Sequence, residues 1–292
     1  MTTGYKYSSS IKSTASDELI NTYFIRPLAG LIVRFLYHTR ITPNQVTVGS
    51  TLVGVVAAAF YLNGTAAHNL AAGFLITLKD ILDSADGQLA RAKNQYSRRG
   101  RFLDSIGDFV VNALVFAAIS IVLFQSSHSF WTIVIGVVAF LSLTLRVSYH
   151  VFYQTAFLHL HVSYEVNRLT EEVREEDLHQ DRTTLTLQRI FQLLYGWQDL
   201  LMQNIDAWCR KGLPYSPYNN DSWYADKVGL RISGLMGLGT ELFLLMVCSV
   251  TNMVEPYLYL NLGLMNGVWL IAVWYRRRLA NRITIAQSSR VP

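Results

Sequence analysis

The sequence predicts an all-α integral membrane protein, and three observations carry that prediction. Only 15% of the 292 residues are charged and 51% are hydrophobic, whereas a soluble globular domain carries about 25% charged residues. Apolar runs near the ~20 residues that cross a bilayer as a helix recur along the chain. The basic residues are also unevenly placed: residues 63–69, 126–130 and 252–256 contain no Lys or Arg, so all 25 lie elsewhere. This composition excludes a disordered chain, a coiled coil and a secreted disulfide scaffold. Cys209 and Cys248, the two cysteines, fall in different kinds of segment and make neither a metal knuckle nor a redox pair. The net charge of +5 reads as an orientation signal and an attraction to anionic lipid rather than as nucleic-acid binding.

Residues 1–43 are expected to form a cytoplasmic N-terminus. Met1 to Asp17 is polar and Ser/Thr-rich, neither a cleavable signal peptide nor a span. Residues 18–39 are apolar but interrupted by Arg26, Pro27 and Arg34, which suits an interfacial amphipathic helix with its basic groups at headgroup level. Thr42-Pro43-Asn44 then breaks the chain before the first full hydrophobic run. Residues 44–161 hold four predicted spans, roughly 44–62, 67–87, 104–125 and 130–150.

Residues 162–228 read as a cytoplasmic insert. Its start is acidic, with Glu171, Glu172, Glu175, Glu176 and Asp177 expected on a solvated face. It continues as an amphipathic helix in which Leu187, Ile190, Phe191, Leu194, Leu201, Ile205 and Trp208 recur at three-to-four spacing, lying on the membrane face or against a partner subunit. Gly212, Pro214 and Pro217 close that helix, and Tyr215, Tyr218, Trp223 and Tyr224 supply interfacial aromatics. Residues 229–292 carry the last two spans, roughly 229–250 and 257–275, and a basic tail with Arg276, Arg277 and Arg278. Six spans put both termini on one side. The positive-inside rule makes that side, with the 88–103 connection and the insert, the cytoplasm. Glu241, near the middle of the fifth span, should face the bundle interior. His159 and His161 are two apart, on different faces of a helix, and read as interfacial residues rather than metal ligands.

Ionisable residues at a membrane boundary are costly, so a cluster of them marks a functional site. Asp80, Asp83 and Asp86 lie at three-residue spacing near the end of the second span, and Asp104 and Asp108 lie four apart at the start of the third. Those spacings share a helix face, and the 88–103 connection lets the two helix ends return side by side. Carboxylates packed so closely repel and protonate unless cations lie between them. Oxygen-only ligands select hard divalent ions, Mg²⁺ or Mn²⁺, completed by water and phosphate oxygens. Two such ions about 3.5–4 Å apart clamp the attacking and leaving oxygens of a phosphoryl displacement. Gly87 and Ala90 strip bulk from the same helix surface, Arg91 offers a guanidinium to phosphate oxygens, and Gly100 opens the approach to the third span.

Together these residues read Asp83-x-x-Asp86-Gly87-x-x-Ala90-Arg91, eight residues, Gly100-x-x-x-Asp104-x-x-x-Asp108. The pattern resembles the signature of the CDP-alcohol phosphotransferase (CDP-alcohol phosphatidyltransferase) family at all eight fixed positions. At about 5% per residue type a chance match is on the order of one in 10¹⁰ per window, so coincidence is set aside. The six-span layout and the Thr42-Pro43-Asn44 entry extend the resemblance over most of the chain; the long insert departs from the compact family pattern. The resemblance implies transfer of a phosphate-linked group from a CDP-alcohol to an acceptor hydroxyl, with release of CMP, at a dinuclear site facing the cytoplasm in a homodimer. It implies Asp83, Asp86, Asp104 and Asp108 as metal ligands, Asp108 also as general base, and Gly87, Ala90, Arg91 and Gly100 against the nucleotide.

The favoured donor is CDP-diacylglycerol, giving its phosphatidyl group to a polar alcohol acceptor. The alternative is a CDP-aminoalcohol giving phosphocholine or phosphoethanolamine to diacylglycerol. Arg146, Lys227 and Arg231 are expected near the cytoplasmic mouth, where they would hold a phosphorylated acceptor. Asp80, one turn deeper than Asp83, would bind an acceptor amine or hydroxyl or support the metal ligands. The competing non-enzymatic reading is a cation transporter using membrane carboxylates; it predicts aspartates strung along a pore rather than gathered beside Gly, Ala and Arg. A degenerate scaffold is the third reading, opposed by the intact motif.

Overall fold

The structure is a computed structural model that describes residues 18–161, 171–173, 175, 177, 181–213 and 216–288. The polar 1–17 segment, Glu176, Pro214 and Tyr215 lie outside the described residues, as do the side chains of His161, Pro217 and Tyr218. All regular elements among the described residues are helices. A π-helical turn, Asn21–Ile25, leads into α1 (Arg26–Leu36); α2 (Pro43–Tyr61), α3 (Ala66–Ala92), α4 (Arg98–Ser127) and α5 (Phe130–His161) follow. The expected insert contributes α6 (Arg182–Cys209) and α7 (Pro217–Tyr224). The chain ends with α8 (Lys227–Gly234), α9 (Leu238–Val250), α10 (Val254–Leu260), a π-helical segment Asn261–Met265 and α11 (Asn266–Ser288).

Among the described residues five stretches are long and apolar enough to cross a membrane: Pro43–Tyr61, Arg98–Ser127, Phe130–Leu160, Asn219–Val250 and Val254–Ile285. The expected second span, α3, is a helix of 27 residues, or about 40 Å at 1.5 Å per residue. Its length suffices, but Lys79, Asp80, Asp83, Asp86 and Arg91 dilute its apolar character.

Thr42 starts α2 with a reciprocal cap: its backbone N–H donates to Gln45 Oε1 at 2.9 Å and its hydroxyl accepts from Gln45 N. α2 then crosses α4 at very short range, because a Cβ on Gly107 would lie 2.5 Å from Thr51 Oγ1. An apolar core of Ala57, Tyr61, Ile76, Val111, Val115, Leu143, Leu245 and Tyr257 locks α2, α3, α4, α5, α9 and α10 together. α1 lays Ala29 and Val33 against Ala85 and Leu89 of α3 and exposes Leu31 and Phe35, the two-faced pattern of an interfacial helix.

The expected fifth span, 229–250, is not one helix. It breaks at residues 235–237, and Gly237 starts α9. A long-range contact meets the new helix start: Glu18 accepts from Thr240 N at 2.8 Å and from Thr240 Oγ1 at 3.0 Å. The carboxylate thereby satisfies an N–H that a helix start leaves open. A Cβ on Gly237 would lie 2.2 Å from Glu18 Oε1, so a larger residue there would have to displace the carboxylate.

Glu241 faces the interior, as expected, and its partner is Arg146 of α5. The two form an ion pair with both side chains fully buried, and Arg146 also donates to Asn261 O at 3.1 Å and Asn266 Oδ1 at 2.6 Å. Arg146→Met strands a buried carboxylate and is expected to lower stability by about 3–5 kcal/mol. Arg146→Met combined with Glu241→Leu should recover most of that loss, since two apolar groups replace a matched pair. Thermal unfolding in detergent reads both, and an unchanged midpoint for the single variant contradicts the pairing.

The insert helix α6 docks through a face that overlaps the expected apolar seam, with Leu201 and Ile205 half-buried against the core, but its most buried positions are largely polar. Gln188, Gln198, Met202, Asp206 and Cys209 are buried, whereas Ile190 and Trp208 of the expected apolar seam are exposed. The polar members of the buried stripe all have partners. Gln188 donates to Asp177 Oδ2 at 3.0 Å, Ser148 donates to Gln198 Oε1 at 2.7 Å, and Asp206 accepts from Tyr153, Trp223 and Tyr224 at 2.8–2.9 Å. Asp177 and Glu171, expected on a solvated face, are buried instead, with Arg98 bonded to both.

Candidate active site

The second half of α3 and the first turns of α4 form the site. The short link between them is pinned by Lys93, whose Nζ donates to Thr39 O at 2.9 Å and Ile41 O at 2.8 Å. Ser97 opens α4 by accepting from Gly100 N at 3.0 Å. The two helices each pack against α2 rather than closely on one another, and their acidic side chains converge across the space between them. One carboxylate oxygen from each of Asp83, Asp104 and Asp108 lies within 4.8 Å of the others. Asp86 accepts from Thr47 Oγ1 of α2 at 2.5 Å.

Two cavities meet at this cluster. The smaller, about 160 Å³, is lined by Asp86, Gly87, Ala90, Arg91, Gly100 and Asp104, together with Pro43, Asn44 and Thr47. The four residues expected against a nucleotide are thus all present on one wall system. Gly100 leaves room there for Asn44, because a Cβ would fall 2.6 Å from Asn44 Oδ1 and would displace that side chain. The larger cavity, about 380 Å³, is lined by Asp83, Asp104 and Asp108 and by residues of the N-terminal segment, α5 and α6. Asp104 and Arg101 line both.

The donor set fits a hard divalent cation: it is all oxygen, convergent, and includes Asp104 Oδ1, a buried atom with no hydrogen-bond partner. An anionic oxygen left so is costly unless something else meets it.

The residues expected to hold the acceptor are not brought together. Arg146 is spent on Glu241, and Lys227 and Arg231 are exposed on α8; none of the three lines either cavity. Charge bias puts basic residues at a cytoplasmic mouth and carries no information about which helix face they occupy. Asp80 is buried on α3 beside Lys79 and also lines neither cavity.

Several site residues escaped the sequence reading. Lys79 is the foremost: it is buried, its Nζ bonds Asp108 Oδ1 and lies 3.5 Å from Asp83 Oδ1. Its position four residues before Asp83 was the available signal. Thr47, Glu18, Tyr195 and Asp199 come from other elements, and no local pattern joins them to the motif.

Residues 40–174 match the family model for CDP-alcohol phosphatidyltransferase. Among curated proteins the chain is 33% identical over 110 residues to a bifunctional IPC transferase and DIPP synthase of Thermococcus kodakarensis, covering 38% of this chain and 24% of that one. It is 37% identical over 82 residues to an archaetidylinositol phosphate synthase of Pyrococcus horikoshii (28% and 42%) and 40% identical over 91 residues to inner membrane protein YnjF of Escherichia coli (31% and 42%). The chain spans less than half the length of each of these relatives. The aspartate cluster and the smaller cavity are both built from residues 40–174, the stretch that matches the CDP-alcohol phosphatidyltransferase family model.

Proposed function

We propose that the protein transfers a phosphatidyl group from CDP-diacylglycerol to the hydroxyl of a polar alcohol, releasing CMP, in phospholipid biosynthesis. The observation that carries this reading is the position of Asp104, which lies where the two cavities meet. A nucleotide diphosphate in the smaller cavity and an alcohol in the larger one then face each other across the carboxylate cluster. The protein sits in the cytoplasmic membrane with six spans, α3 included, as a homodimer with both termini and the site on the cytoplasmic side.

Asp83, Asp86, Asp104 and Asp108 would hold two divalent cations, Mg²⁺ or Mn²⁺, which when bound neutralise charge on the pyrophosphate and the departing CMP. The remaining chemistry belongs to the chain. Gly87 and Gly100 keep the smaller cavity open for the cytidine nucleotide, and Arg91 faces its phosphates. Asp108 takes the proton of the acceptor hydroxyl as its oxygen bonds the phosphatidyl phosphorus and the bond from that phosphorus to the CMP oxygen breaks. The lipid tails stay in the bilayer throughout.

The test is CMP release by purified protein in detergent with Mg²⁺ or Mn²⁺. CDP-diacylglycerol is offered with a panel of alcohols, beside CDP-choline and CDP-ethanolamine offered with diacylglycerol. Metal-dependent CMP release from CDP-diacylglycerol is expected. Release only from the CDP-aminoalcohols reverses the donor assignment, and release from no donor rejects the enzymatic reading.

A further inference from the structure

The larger cavity owes its far wall to the insert. Phe191, Tyr195 and Asp199 of α6, with Glu171, face the same space as Asp104 and Asp108. Tyr195 is held in place by donating to Ser105 O at 2.9 Å and by edge contact with the Phe109 ring at 5.8 Å. The wall is therefore fixed to α4 one residue from Asp104.

Its charge is the informative property. The motif aspartates aside, the described lining carries Glu18, Glu171 and Asp199 against Arg26 and Arg101. Arg101 is directed at Glu171, with which it forms an ion pair, and its guanidinium lies 4.8 Å over Phe102 and 5.7 Å over Phe191. Asp199 makes no hydrogen bond or ion pair with the described residues. Burial and the neighbouring Glu171 push its carboxyl up to about 7, against the pull of Arg101; a cation beside it would hold it ionised. A phosphomonoester brings further negative charge to such a wall and is repelled. An ammonium group is attracted by the carboxylate and by the Tyr195 and Phe191 rings, which pack on each other with centroids 4.9 Å apart and line the same space.

We infer that α6 is a specificity element: its Asp199, Tyr195 and Phe191 receive the ammonium group of an amino-bearing alcohol and turn away phosphorylated alcohols. The inference rests on the phosphotransfer reading and narrows it. The ammonium arrives either on a free amino alcohol acceptor or on the headgroup of a CDP-linked donor.

The experiment measures CMP release by the full chain in detergent with Mg²⁺ or Mn²⁺ in four arms. These are CDP-diacylglycerol with serine or ethanolamine; CDP-ethanolamine or CDP-choline with diacylglycerol; CDP-diacylglycerol with glycerol 3-phosphate or inositol phosphate; and CDP-diacylglycerol with glycerol or inositol. The highest kcat/KM is expected in the first or second arm, and which of them leads identifies the source of the ammonium. Asp199→Asn should raise KM for that amino compound at least tenfold with kcat within twofold, Asp199→Glu should restore it, and Asp199→Lys should shift preference toward the phosphorylated acceptors. Calorimetric CDP binding should be unchanged in all three variants. Fastest turnover in the third or fourth arm, or an unchanged KM in Asp199→Asn, overturns the inference and leaves the phosphotransfer reading standing. No CMP release in any arm, with CDP binding absent as well, overturns both.

Discussion

Asp108→Asn is expected to reduce CMP release roughly 10³-fold or more while leaving CDP affinity within about threefold of the native protein. Loss of a general base costs about 10²–10⁴ in rate, and the substitution also removes one of the convergent oxygens of the cluster. The side chain keeps its size, and its backbone carbonyl still accepts from Asn112 Nδ2 at 2.8 Å, so helix α4 should be undisturbed. Nucleotide affinity should survive because Asp108 lines only the larger cavity. Asp104→Asn makes the contrast: its residue lines both cavities, so it should lose turnover and CDP affinity together. Single-turnover CMP release and isothermal calorimetry separate the two effects. Turnover in Asp108→Asn within tenfold of native would remove Asp108 from the chemistry.

The motif and the early helices were legible because each depends on neighbours in sequence. The Thr42-Pro43-Asn44 break and the motif aspartates are local devices; the structure starts a helix at Pro43 and brings Asp83, Asp104 and Asp108 together. Long-range contacts were not legible. The 235–237 break is met by Glu18, more than 200 residues away, which reaches Thr240. Hydropathy registers Leu235, Met236 and Leu238 as one continuous run. Arg146 and Glu241 were each read singly, as an acceptor ligand and as a charge without a partner. Pairing the two intramembrane charges of opposite sign, the rule for such residues, finds the ion pair the structure contains. On α6 the predicted seam is half-buried at Leu187, Phe191, Leu194, Leu201 and Ile205 and exposed at Ile190 and Trp208, while the hydrogen-bonded glutamines and Asp206 are buried beside it. Periodicity finds the helix and most of its docked side and misses the polar residues at its centre.

Lys79→Met should turn the fold from weakly to strongly dependent on divalent metal. Asp80 and Lys79 are buried, and the Lys79 ammonium bonds Asp108 and lies 3.5 Å from Asp83. Among the described residues it is the one Lys side chain in contact with the carboxylate cluster. Removing one member of a buried charge pair costs about 3–5 kcal/mol, because the carboxylates left behind repel each other across a medium that screens poorly. In a chain of this size each kcal/mol moves the unfolding midpoint by about 2–4 °C, so EDTA-treated Lys79→Met should melt roughly 10 °C below the native protein treated the same way. Saturating Mg²⁺ or Mn²⁺ supplies positive charge to the same oxygens and should close most of that gap. Turnover should still fall, because the ammonium also sets where the Asp108 oxygen points. A variant carrying Lys79→Arg keeps the charge and separates the two roles: its EDTA midpoint should stay near native while its CMP release drops, since a planar guanidinium cannot reproduce the compact ammonium contact. Equal midpoints for native and Lys79→Met protein in EDTA would show that the cluster does not need this cation.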